Sequence, residues 1–350
     1  MKAQLLAYAA ALGEPIEGQD LRKGSFAKSY LGGGIFTRTQ LAQADFRGAD
    51  ARETLFDQCD LRGALFNGAN LRRAVFNQCE LEHVDFREAN LHGATFTGCR
   101  LPHGQLARAA LDMATFSACR LDHAALAGCS LESAAFLGSS LVDVNADDSR
   151  WLHTSVMECD LARLSWERAS LRRVIFHKTG LAQKSFAGLA LDGCQFSCLD
   201  LSGARFAQVA MPQCNFQGAT LEGADFAGVQ ANGAVFCEAR GTGVSFAGAR
   251  LRQALFTASI FPAARFDGAD LYQCHFARAQ LPGAVLRGAE LTYADFSHAD
   301  LRAVDAREAT LFRTVLHRAA TEHAQLPDRV RALETDPALA QAEDWQPVGG

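Results

Sequence analysis

Every fifth residue from Leu21 to Leu316 anchors a unit, and no insertion or deletion breaks that register across sixty units. The anchors alternate with a period of ten, as in Leu61, Phe66, Leu71, Phe76, Leu81 and Phe86, and 23 of the 24 phenylalanines sit on this lattice. Two residues before each anchor stands a thin side chain, such as Ala64, Ala69, Ala74 or Cys79. Repetition at a short fixed period predicts one stacked array rather than two ordinary domains.

The period excludes the regular elements taken alone. On a helix five residues advance roughly 500°, so successive anchors would scatter instead of forming one stripe. On a straight strand residues five apart face opposite ways. The chain must turn a corner every five residues, with positions i−2 and i inward and the other three outward or at the corner. Three sides per coil would mix Leu and Phe in one stack, whereas four sides segregate them. A twenty-residue coil also stacks Cys59, Cys79, Cys99 and Cys119 in one column and predicts about fifteen coils.

Units such as Ala69-Asn70-Leu71-Arg72-Arg73, Ala89-Asn90-Leu91-His92-Gly93 and Ala269-Asp270-Leu271-Tyr272-Gln273 resemble the A(D/N)LXX motif of the pentapeptide-repeat family. The resemblance spans residues 21–316. It implies an all-β fold, the right-handed quadrilateral β-helix, a scaffold that serves unrelated roles in different members.

The ends need covers, because an exposed coil offers unpaired strand edges. Residues 1–20 are read as an N-terminal cap, since the short apolar run after Lys2 is broken by Gln4 and makes a poor signal peptide. Residues 317–350 are read as a C-terminal helical cap: Leu326, Val330 and Leu333 fall at helical spacing, Asp336-Pro337 reads as an N-cap with proline after it, and Trp345 is a candidate anchor. The alternative for this tail is a homodimer interface. Nine of the eleven cysteines occupy the thin i−2 position, which predicts inward, unpaired thiols and a reducing, cytoplasmic setting.

Three outward patterns are candidate sites. Ile35, Leu55 and Val75 stack one coil apart as a docking strip for a protein partner. Arg52 and Arg72, with His92 next, form a basic column that turns acidic at Asp112 and Glu132 and would orient a partner. His83, His103 and His123 share one outward column with Asp143 next. A straight column at strand spacing does not converge three nitrogens to within ~2.1 Å of one ion, so solvated surface is the plain reading, a weak metal or pH-sensitive site is the alternative, and no cofactor is expected. The lattice itself weakens at Ala146, Trp151, Val156 and Trp166, where Trp166 is expected to fill space left by Ala146.

No P-loop, GxSxG elbow, HExxH or dinucleotide fingerprint is present, and a filled solenoid offers no cleft, so a non-catalytic chain is expected. No run approaches the roughly 20 apolar residues that span a bilayer. The family resemblance implies two kinds of role. One is DNA mimicry by gyrase-binding members, but residues 21–316 carry thirty acidic and thirty basic residues, whereas a duplex bears one negative charge per ~1.7 Å. The other is a protein-binding scaffold or adaptor, with no nucleic acid or membrane as partner. Runs such as Phe56-Asp57-Gln58-Cys59-Asp60-Leu61 resemble the pentapeptide-repeat accessory proteins of bacterial type VI secretion systems, implying an effector-loading adaptor that contacts effector or spike components.

Overall fold

The corner every five residues is realised. The structure, a computed structural model, describes residues 9, 12–327 and 329–345. It forms two compact units, residues 1–180 and 181–350.

In the first unit, three-residue strands recur every twenty residues: β1 (Pro15–Glu17), β2 (Ile35–Thr37), β3 (Leu55–Asp57), β4 (Val75–Asn77), β5 (Thr95–Thr97), β6 (Thr115–Ser117) and β7 (Ala135–Leu137). After β8 (Arg150–Leu152) come β9 (Ser155–Met157), β10 (Ser170–Arg172) and β11 (Ile175–His177). Strands β1 to β7, β9 and β11 form one parallel sheet in that order, with Ile35 opposite Leu55 and Leu55 opposite Val75. The other three faces meet through isolated parallel bridges at the same spacing, such as Asp20 with Gln40, Ser25 with Asp45 and Tyr30 with Asp50. The fold is therefore a four-faced parallel β-solenoid.

Regular strands mark nine turns rather than about fifteen. On most faces the turn after the anchor takes up the backbone, as where Ala64 N–H donates to Leu61 C=O at 3.0 Å, leaving a single bridge residue per face.

The inward columns pack as the lattice requires. Phe36, Phe56, Phe76, Phe96, Phe116 and Phe136 stack with centroids 4.7–5.1 Å apart. Phe46, Phe66 and Phe86 form a second column that meets the first edge-on at 5.7–6.3 Å. Offset stacks and edge contacts are each worth ~0.5–1.5 kcal/mol beyond burial. Where the lattice weakens, both Trp151 and Trp166 are buried. Trp151 lies 5.6 Å from Phe136, and its Nε1–H donates to Ser149 Oγ at 2.7 Å. There β8 and β10 pair in parallel on a second face.

The second unit contains β12 (Ala190–Asp192) and then repeats the twenty-residue register through bridges such as Asn215 with Val235 and Val235 with Leu255. Phe196, Phe216, Phe236, Phe256, Phe276 and Phe296 stack at 4.5–5.0 Å. An anchor position here is glycine: a Cβ on Gly241 would lie 2.6 Å from the Leu221 carbonyl carbon. Phe261, one coil on in a leucine column, turns its ring to within 5.8 Å of Phe246 and 6.2 Å of Phe256.

Both ends of the array differ from the expected boundaries. Residues 1–8, 10 and 11 of the N-terminal cap lie outside the described residues, and β1 places Ile16 in the core ahead of Leu21. At the other end bridges run on to Ala320 and Gln325. Among the described residues, Leu326, Val330 and Leu333 lie on no helix, contrary to the helical spacing. Leu333 instead bridges Val315, because the amides of the last coil require acceptors. The helix begins later, as α1 (Pro337–Glu343), and Asp336 caps it by accepting from Ala338 N–H at 2.8 Å and Leu339 N–H at 3.1 Å.

Candidate functional site

The nine-strand sheet is the broadest regular face among the described residues. Each strand buries its middle side chain and turns the two flanking ones outward. The outward column of Ile35, Leu55 and Val75 continues through Thr95, Thr115 and Ala135, all half-buried, and from Pro15 to Ile175 it holds no charged residue. Across the strand, Asn77 Nδ2 donates to Asp57 Oδ1 at 2.6 Å, so these two polar side chains beside the strip engage each other. A flat, uncharged, half-buried strip costs little to desolvate, which is what a protein-docking surface requires.

The basic column is less free than the sequence suggests. Arg52 forks onto Asp50 at 2.8 and 2.7 Å, and this contact holds the Asp50 carboxyl below its usual range. Arg72 lines a shallow groove of about 510 Å³ with Glu88, Asn90, His92, Arg108 and Asp112. The same fork joins Asp45 to Arg47, Asp60 to Arg62, Asp85 to Arg87, Asp300 to Arg302 and Asp305 to Arg307. Spacing of two places these partners on either side of an inward anchor, so both point outward.

The histidines stack as a ladder, with His83 5.1 Å from His103 and His103 4.9 Å from His123. Their rings are near parallel, at 17° and 6°. Asp143, next in the column, accepts from Arg163 Nη2 at 2.6 Å.

The cysteine column carries a feature that residue type alone does not disclose. All nine i−2 cysteines are buried, and none of them forms a disulfide. Cys59, Cys79, Cys99 and Cys119 each donate Sγ–H to a carbonyl 23 residues earlier, Phe36, Phe56, Phe76 and Phe96, at 3.2–3.3 Å. Thr39, Ser139 and Thr179 extend the column and donate likewise. In return Cys79 N–H donates to Cys99 Sγ at 3.5 Å and Cys119 N–H to Ser139 Oγ at 3.0 Å. The column is thus a hydrogen-bonded ladder and not only thin packing. Burial pushes the Cys129 and Cys274 thiols up to about 12, away from thiolate chemistry.

A cluster missed in the sequence lies at the end of the second unit. His298 Nε2 and His317 Nε2 each stand 3.2 Å from the Glu343 carboxylate, and Arg318 Nε stands 3.2 Å from it too. His317, and His298 with it, hold the Glu343 carboxyl below its usual range. Asp336 N–H donates to His317 Nδ1 at 3.1 Å, so the ring carries its proton on Nε2 and gives it to Glu343. A metal on Nε2 would displace that proton while Nδ1 stays engaged, and Arg318 already occupies the carboxylate. The trio is a hydrogen-bonded latch. His298 and His317 are nineteen apart, one short of the period, so a column reading does not align them.

Of the tail candidates, Leu326 is half-buried at the solenoid end, whereas Val330 and Trp345 are 86% and 71% exposed. No described helix is long and apolar enough to cross a membrane.

Two family models match the chain. Pentapeptide repeats (8 copies) match residues 25–63, 200–236, 221–257 and 264–302, and the pentapeptide repeat region matches 69–146. The chain belongs to the pentapeptide-repeat family. Among solved structures, this pentapeptide-repeat protein is similar to QnrB1, a plasmid-mediated fluoroquinolone resistance protein, at 20% identity over 51% of this chain and 88% of that one, with a TM-score of 0.43. It is similar to HetL of the cyanobacterium Nostoc sp. strain PCC 7120, involved in heterocyst differentiation regulation, at 21% identity over 75% and 89%, with a TM-score of 0.19. It is similar to a thylakoid-lumen pentapeptide repeat protein of Arabidopsis thaliana at 22% identity over 39% and 71%, with a TM-score of 0.14. These likenesses concern the fold alone. No curated protein matches the chain.

Proposed function

We propose that this pentapeptide-repeat chain is a non-catalytic protein-binding scaffold whose docking face is the nine-strand sheet of the first unit. The supporting observation is the uncharged outward column headed by Ile35, Leu55 and Val75, with Arg72 on the neighbouring face to orient the partner electrostatically. The filled core supports a non-catalytic role, since the Leu and Phe columns occupy the solenoid interior where a cleft would isolate a reacting group. The finer reading, an effector-loading accessory of a bacterial type VI secretion system acting in the cytoplasm, is supported by the Phe-x-x-Cys-x-Leu runs alone.

The test is affinity purification with mass spectrometry, comparing wild type with Leu55→Asp, followed by titration of the recovered partner against both proteins by calorimetry. A charge at the centre of a desolvated strip is expected to weaken binding by at least tenfold while leaving the fold intact. Equal affinity for the two proteins would sink the proposed face. Binding to DNA gyrase remains the alternative, and the Asp–Arg forks speak against it because they neutralise the carboxylates that a duplex mimic must present.

A further inference from the structure

The solenoid of the second unit ends on an edge, and what covers that edge is weakly held. Within the array, amides bond to carbonyls nineteen residues on, as Leu301 N–H does to Ala320 C=O at 2.8 Å. The last coil departs from this rule. Arg313 N–H donates to Arg331 C=O at 2.7 Å and Leu316 N–H to Leu333 C=O at 2.8 Å, eighteen and seventeen residues on. Leu333 N–H returns a bond to Thr314 C=O at 2.8 Å, and Arg318 N–H finds the Thr335 hydroxyl at 3.0 Å. Residues 331–335 thus form a strap that imitates one side of a further coil without its register.

Little apolar burial supports the strap. Leu333 is 45% exposed and α1 buries no residue. Polar contacts supply the rest: the Glu343 latch with His298 and His317, Arg318 Nη2 to Ala340 C=O at 2.7 Å, and Arg318 Nη2 to Asp344 Oδ2 at 2.5 Å. An edge covered, among the described residues, by three backbone bonds and a set of ion pairs is open to competition from another extended chain.

We propose that the edge formed by Arg313, Thr314 and Leu316 is a strand-addition site, held closed by the chain's own strap, for an extended partner segment followed by carboxylates. Main-chain bonding to an exposed sheet edge is an established mode of peptide recognition, with side chains adding selectivity. Here the selectivity is electrostatic. Arg318, His298 and His317 converge on Glu343, and Arg318 also takes Asp344, so the same groups would receive carboxylates that follow the strand. The site is distinct from the docking face of the first unit, so either can fail without the other.

The probe is a fluorescein-labelled synthetic peptide with the sequence of residues 329–345, read by anisotropy against the full chain. In Leu333→Pro, which removes the amide that bonds Thr314, exchange of the Arg313 and Leu316 amides is expected to rise at least tenfold and the peptide to bind at least tenfold more tightly than to wild type. The same peptide carrying Glu343→Gln and Asp344→Asn is expected to lose at least tenfold. Glu343→Gln in the full chain, which leaves the strand residues untouched, is expected to give the same changes in smaller measure and guards against misfolding of the proline variant. Unchanged exchange at Arg313 and Leu316 in both variants would show that the strap is not what covers the edge. Faster exchange without peptide binding would show that the edge does not accept a strand in trans. Either result overturns the proposal.

Discussion

Alanine and cysteine share the thin lattice position, yet they are not equivalent there. Cys99 donates to Phe76 C=O at 3.2 Å and accepts from Cys79 N–H, so removing its sulfur strands a buried amide. Cys99→Ala is expected to destabilise by about 1–3 kcal/mol and Cys99→Ser by clearly less, read from urea midpoints, because serine restores both roles. Equal losses would reduce the column to packing. A second residue-scale effect is pH. Burial pushes the Asp85 carboxyl up, but hydrogen bonds from Arg87 and Asn67 outweigh it and leave the carboxyl below its ordinary value. A depressed carboxyl contributes stability that is fully present above the unfolded value, near 3.9, and is lost as pH falls through the folded one. Wild type is therefore expected to lose stability relative to Asp85→Asn only below about pH 4. Unfolding curves for both proteins between neutral and acid pH check this, and a difference that collapses near neutrality would contradict it.

At the scale of elements, the aromatic columns make each coil depend on its neighbours. Phe76 stacks on Phe56 at 5.0 Å and Phe96 at 4.7 Å and meets Phe86 edge-on at 5.7 Å. Phe76→Ala is expected to cost about 3–5 kcal/mol, measured by denaturation, since rings held on three sides cannot close the cavity. The faces, the inward columns and the thin position were legible because Leu61, Phe66 and their successors repeat without a gap. The strand-bearing face was not legible, because it depends on backbone turns that Ala64 makes and Cys59 does not. Nor was the strap. Leu326, Val330 and Leu333 have helical spacing, but unpaired amides on Arg313 and Leu316 offer a backbone bond to the segment that a short, mostly exposed helix does not match. Leu55 and its neighbours were legible as outward residues, whereas the unbroken absence of charge along their column has meaning only once the nine strands lie side by side.

For the whole molecule the deciding quantity is how charge is distributed, not its total. A net charge of −5 on 350 residues resembles that of many proteins and excludes little. The forks are more informative: Asp45, Asp50, Asp60 and Asp300 each hold an arginine two residues on, and each carboxyl lies below its usual range through that contact. Carboxylates held this way present an arginine beside every acid, so a partner evolved to grip phosphates meets alternating charge. A protein that competes with a duplex must instead offer a continuous negative field. The expected outcome is that this chain, added to DNA gyrase and relaxed plasmid, leaves the rate of supercoiling unchanged at low and high salt alike. Inhibition that weakens as salt rises would mean that the forks open in solution and release their carboxylates. In that case Arg47→Gln and Arg62→Gln, which unmask Asp45 and Asp60, should strengthen it.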